Sequence, residues 1–187
     1  VYQYTARQFL DQALNTRSDS LSNFNRKIAG KYKAGLGLRY LADYIGDTII
    51  SSSFKEFYKK NKLNFAKSES FKKIVSKKTS KDINWFFDEY LTTDKKIDYT
   101  IKKAVVLDDS VYVTIKNKRN ITAPVALYGL KNKQVKFKKW LTNIDSTTTV
   151  AIPKNGFDRV SLNFENSYPE FNSMDNWKKV GKNILNK

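Results

Sequence analysis

The side chains available for chemistry are few in kind. The 187-residue chain has no His and no Cys, which removes the commonest general base, the commonest zinc ligand, thiol nucleophiles and disulfides. Carboxylates, lysines, hydroxyls and phenols remain. Two adjacent acid pairs, Asp108-Asp109 and Asp88-Glu89, could suggest paired acid–base chemistry. Sequence neighbours on a turn or helix point apart rather than across a cleft, so they read as turn residues and a solvated helix face. Tyr32 is different. It lies in Lys31-Tyr32-Lys33-Ala34-Gly35, just ahead of an amphipathic segment. A phenol, with a pKa of about 10, stays protonated at neutral pH and can donate a hydrogen bond without changing charge. On position alone the better reading is a helix-start Tyr with an apolar body and a wet hydroxyl.

These residues need elements to hold them. From Ala34, apolar residues recur at Leu38, Leu41 and Ile45, one face of a helix that Gly46-Asp47 stops. The pattern predicts a second helix from about Thr48 to Asn61, with Ile50, Phe54, Phe57 and Tyr58 turned inward. Ser68 and Ser80 are expected to cap two more. The first carries Phe71, Ile74 and Val75; the second carries Ile83, Phe86, Phe87 and Tyr90, with Asp82 at its positive end. Upstream, Phe9, Ala13 and Leu14 suggest another helix, followed by a loop over 16–25. Gly35 and Gly37 would either allow close helix packing or loosen the helix start.

Near Asp94 the apolar period drops to two. Ile97, Tyr99 and Ile101 alternate with polar residues, and Val111, Val113 and Ile115 follow the turn Asp108-Asp109-Ser110. Further short strands are expected around Ala123–Leu127, Val135–Phe137, Val150–Ile152 and Val160–Phe164, with turns at 117–120 and Lys131-Asn132-Lys133. Helices followed by strands, without alternation, make the fold class α+β. The expected organisation is a helical part over 1–93, then a small antiparallel β-sandwich over 94–187. A short tail helix is expected within Met174–Leu185.

Hydrophobic residues make up 40% and aromatics 14%, enough to build a core and exclude a disordered chain. No run approaches the ~18 apolar residues that span a bilayer. The chain opens at Val1 amid polar and aromatic sequence and reads as cut from something longer. The formal charge is +17, which could attract nucleic acid or anionic lipid. Most of it is Lys, spread along the chain, where bidentate phosphate contacts favour Arg. A solvated surface with lysine-guarded sheet edges is the plainer reading, and no nucleic-acid motif accompanies the charge.

Two stretches resemble the aminopeptidase N family of zinc aminopeptidases, of gluzincin type. Tyr32-Lys33-Ala34-Gly35 is similar to that family's Tyr-x-x-Gly segment. Asp82-Ile83-Asn84-Trp85-Phe86-Phe87-Asp88-Glu89-Tyr90-Leu91 looks like the aromatic helix that closes its catalytic domain. The β region behind them, including Trp140, also fits. The resemblance implies that Tyr32 donates its hydroxyl to the oxyanion formed when zinc-bound water attacks a peptide carbonyl, on a helix supported by Gly35. Trp85, Phe86 and Phe87 themselves read as core residues rather than a ligand box. The family's His-Glu-x-x-His motif, its zinc and its general base are absent here and would lie ahead of Val1. Lys33-Ala34 replaces the usual Glu-Lys. The chain is thus expected to hold no cofactor and to be inactive alone. Zinc is expected in a full-length parent, where the partners would be the missing N-terminal part and a peptide substrate. A non-catalytic protein-interaction module and a polyanion-binding domain are the alternatives.

Overall fold

Helical spacing gives way to strand spacing at the middle of the chain, and the computed structural model, which describes residues 2–119 and 121–182, divides there. Its two compact units are Val1–Asp94 and Lys95–Lys187.

The first unit contains α1 (Tyr2–Arg7), α2 (Gly30–Ile45), α3 (Asp47–Asn61) and α4 (Ser68–Ser76), with π-helical turns at Asn25–Ala29 and Trp85–Tyr90. The first of these turns runs straight into α2. Lys31–Gly35 is therefore inside a helix rather than a lead-in to one. The buried stripe of α2 is Lys33, Gly37, Tyr40, Leu41, Tyr44 and Ile45, rotated from the expected stripe, so that Ala34 and Leu38 are only half-buried. Trp85 sets this rotation: its ring lies 4.5 Å from Tyr40 and 6.3 Å from Tyr44. Gly46, at φ +112°, makes the break before α3 that a side chain would resist.

Helix α3 buries a narrower face than its sequence predicts. Ile50 and Ser53 are buried, Phe57 is half-buried, and Phe54 and Tyr58 are exposed. Its main neighbours are α2 and α4, where Phe54 stacks on Phe71 at 4.6 Å and Phe57 meets that ring edge-on at 5.4 Å. Neither serine caps a helix. Ser68 is the first residue of α4 and Lys67 precedes it without a side-chain cap, while Ser80 lies in a bend. The Asp82 carboxylate instead accepts a hydrogen bond from the Asn84 N–H at 2.9 Å. The expected helix around Phe9–Leu14 does not form. Phe9 takes φ +55° and the chain turns there.

Among the described residues the second unit has eight strands: β1 (Tyr99–Leu107), β2 (Ser110–Asn117), β3 (Val125–Lys131), β4 (Gln134–Leu141), β5 (Thr147–Pro153), β6 (Arg159–Leu162), β7 (Trp177–Lys179) and β8 (Gly181–Lys182). They form two four-stranded sheets, ordered β5-β2-β1-β8 and β4-β3-β6-β7. Between these strands every ladder is antiparallel except the short parallel contact of β8 with β1, and Ile97 makes an isolated parallel bridge with Glu170. Asn132 and Lys133 both take positive φ, the geometry that suits a two-residue hairpin between twisted strands. Val111, Val113 and Ile115 are fully buried. On β4, an edge strand, Lys136, Lys138 and Lys139 are exposed, as guards against edge pairing should be. The region expected as a tail helix is strand over its described part. Residues 177–179 take up the free edge of β6 and 181–182 that of β1, where ladder hydrogen bonds outweigh a short helix; 183–185 lie outside the described residues.

Glu170 sits deep in this unit. Its carboxylate accepts from the Tyr99 N–H at 2.9 Å and from the side-chain amides of Asn176 at 2.6 Å and Asn163 at 3.4 Å. Burial outweighs these donors and pushes its pKa from 4.5 up to about 8. Between these values the unfolded chain releases a proton that the folded unit keeps, so the unit's stability should fall as pH rises from 4.5 to 8 and then level off. Urea midpoints across that range, followed by hydrogen exchange in residues 95–182, should slope downward, and Glu170→Gln should flatten the slope. An unchanged slope in Glu170→Gln would show that other groups set it.

Candidate active site

Three elements hold the neighbourhood of Tyr32: the first two turns of α2, the segment around Asp11, and the π-helical turn Trp85–Tyr90. Gly30 closes the earlier π turn by donating its N–H to the Asn25 carbonyl, and a Cβ at Gly30 would come within 3.0 Å of that oxygen. Asn25 is itself pinned, with its side-chain amide donating to Leu10 O at 2.8 Å and its Oδ1 accepting from Gln12 N–H at 3.1 Å. Widened turns of this kind often occur at functional sites.

Tyr32 projects outward from this frame and is 53% exposed. Among the described residues its hydroxyl has no hydrogen-bond partner, which leaves it free to donate to a ligand. Its chain neighbour is the reverse. Lys33 is 1% exposed, and its ammonium donates to Thr93 O at 2.9 Å and Gln12 O at 3.2 Å, and lies 3.4 Å from the equally buried Asp11 carboxylate. One turn of backbone therefore presents a solvent-facing phenol beside a cation locked into the interior.

The aromatic segment clamps the same turn from the other side. The Tyr90 hydroxyl donates to Lys33 O at 2.9 Å. Burial, reinforced by the Asp11 charge, pushes the Tyr90 pKa well above the usual phenol range, so it remains a donor throughout the working pH range. Its ring stacks on Phe86 at 5.7 Å and fills the space above Gly37, where a Cβ would lie 2.2 Å from Tyr90 Cε1. A Cβ at Gly35 would meet open space. Close packing thus falls to Gly37, while Gly35 lies on the exposed side with Tyr32. Trp85, Phe86 and Phe87 are buried core residues.

Sequence reasoning missed the Asp11–Lys33 pair and the Tyr90–Gly37 contact. A signal did exist: Lys33, Gly37, Tyr40 and Tyr44 repeat at spacings of four, three and four, the period of a buried helix face. Lys and Gly read as polar or neutral, so the stripe does not stand out by hydrophobicity.

No protein-family model matches this chain, and no curated protein does. Among solved structures, the crystal structure of Legionella pneumophila aminopeptidase A in complex with aspartic acid matches it with a TM-score of 0.63. The match covers 85% of this chain at 18% identity. The likeness is one of fold. This chain spans 18% of the length of that aminopeptidase chain.

Among the described residues no three His, Cys, Asp or Glu side chains cluster closely enough to hold an ion, and His and Cys are absent from the sequence. None of the described helices is long and apolar enough to cross a membrane.

Proposed function

We propose that this chain is the C-terminal part of a zinc-dependent, aminopeptidase-like metallopeptidase, and that Tyr32 supplies a hydrogen bond to the oxyanion that develops on the scissile carbonyl. The zinc ligands belong to the N-terminal part of such an enzyme, because no group of metal-ligating side chains that fits a zinc site occurs among the described residues. The helical unit contributes a wall of the substrate cleft and the second unit is a structural module. The reading rests chiefly on one observation: an exposed phenol without a partner among the described residues stands on a helical turn whose next residue, Lys33, is held by both its ammonium and its carbonyl.

The physical case is preorganisation. An oxyanion donor stabilises the transition state only if it need not be reoriented when charge develops. Lys33, through Asp11 and two carbonyls, and Tyr90, through Lys33 O, hold the backbone beneath Tyr32. Neither group touches the substrate in this reading; both are positioning residues.

Tyr32→Phe in the full-length enzyme removes the hydroxyl and keeps the ring. The expected result is a fall in kcat of about 10²–10³, typical for loss of one oxyanion donor, with KM and zinc content nearly unchanged. Unaltered kcat would remove Tyr32 from the mechanism. A rise in KM alone would make it a substrate contact that does not distinguish ground from transition state.

A further inference from the structure

The second unit contains a cavity of about 460 Å³ that the peptidase reading does not use. It is lined by Leu130, Asn132, Lys133, Asp158, Arg159, Phe164, Lys179 and Val180. Its cationic wall is built by strand register. Arg159 on β6 faces Leu130 on β3 and Lys179 on β7 directly across the ladder, so all three side chains leave the same face of the sheet. Two cations placed directly opposite each other repel, which costs stability unless an anion lies between them. Neither Arg159, Lys179 nor Lys133 forms a salt bridge among the described residues. The one carboxylate in the wall, Asp158, is engaged by Lys131 at 3.2 Å, outside the lining.

The cavity is also preorganised. Arg159 stacks on the Trp177 ring at 4.5 Å, which orients its guanidinium fork. Backbone bonds from Asp158 N–H to Leu130 O at 3.1 Å and from Val180 N–H to Asp158 O at 2.9 Å fix the walls. Leu130, Phe164 and Val180 supply an apolar side next to the cations.

We propose that this cavity binds a small soluble ligand carrying a phosphate or carboxylate head and a compact apolar body. The head sits between Arg159 and Lys179, with Lys133 at the rim, and the apolar body lies against Leu130, Phe164 and Val180. The site lies wholly within the second unit, so it stands or falls apart from the role of Tyr32.

The test titrates the full chain with phenyl phosphate, inorganic phosphate and phenol at low salt, read by calorimetry and by tryptophan fluorescence, to which Trp177 should contribute. Phenyl phosphate should saturate a single site and bind more tightly than either half alone. Arg159→Gln and Lys179→Gln should each weaken it about tenfold or more, the usual scale for losing a charge-assisted hydrogen bond. Lys103→Gln, an exposed residue of β1 with the same change in charge, should leave it unaltered. Thermal melts establish that each variant is folded, and Lys179→Glu, on the exposed β7 strand, replaces Arg159→Gln if that variant is not. Absence of saturation, equal weakening in all three Gln variants, or binding only to anionic lipid vesicles overturns the proposal.

Discussion

Lys33→Met should destabilise the helical unit by about 3–5 kcal/mol, because it removes the cation 3.4 Å from the buried Asp11 carboxylate. Both side chains are 1% exposed, so the carboxylate has little solvent of its own to replace the ammonium. Met fills a similar volume, so the loss is electrostatic rather than a cavity. The Thr93 and Gln12 carbonyls lose a donor in the same step. The pair itself need not be worth that much. Taking both charges out of water costs several kcal/mol, and an apolar pair of similar volume is often as stable. The double variant Lys33→Met/Asp11→Asn should therefore recover part of the loss. Chemical denaturation followed by hydrogen exchange in residues 30–45 measures both. Equal stability of the single and double variants would mean that the buried charge on Asp11 is not what the single variant suffers from.

The second large effect separates two glycines on one helix. Gly35→Ala should stabilise α2 by about 0.5–1 kcal/mol, the ordinary gain of Ala over Gly in a helix interior, because its Cβ meets open space. Gly37→Ala should destabilise the unit by about 1–3 kcal/mol, despite the same gain in propensity. Its Cβ would lie 2.2 Å from Tyr90 Cε1, far inside van der Waals contact. The ring has little room to yield, with Phe86 stacked on its face and its hydroxyl bonded to Lys33 O. Thermal unfolding of the two variants should move in opposite directions. A stabilised Gly37→Ala would mean that Tyr90 swings aside at little cost, and the clamp beneath Tyr32 would be looser than its hydrogen bonds suggest.

Periodicity made the order of elements legible. The change from helical to strand spacing near Asp94 marks where the two units divide, and the alternation at Val111, Val113 and Ile115 placed β2 on its buried face. Local pattern failed where tertiary contacts decide. Trp85 rotates the buried stripe of α2 towards Lys33 and Gly37, which no hydrophobicity count would choose. Trp177–Lys179 becomes strand because β6 has a free edge, a fact that lies some fifteen residues away in sequence. Tyr58 reads as a core residue and is exposed, since a large apolar side chain signals burial only where a neighbour arrives to cover it.

The groups that support Tyr32 were not legible in the sequence. Tyr32 could be singled out from its motif, while the groups that fix its turn come from distant segments around Asp11 and Tyr90. The lysine that replaces the motif's usual acid looks like a surface residue in sequence. In the structure its side chain is 1% exposed and lies against Asp11 in the interior of the helical unit.

The central claim is that the Tyr32 hydroxyl recognises developing charge and not the resting substrate. The most direct measurement compares two inhibitors of the full-length enzyme before and after Tyr32→Phe: a phosphinic peptide whose tetrahedral oxygens mimic the transition state, and a non-hydrolysable peptide of planar geometry. The account predicts that the phosphinic peptide loses affinity by about 10²–10³, matching the fall in kcat, while the planar one is unaffected. Equal loss for both, or no loss for either, would contradict it.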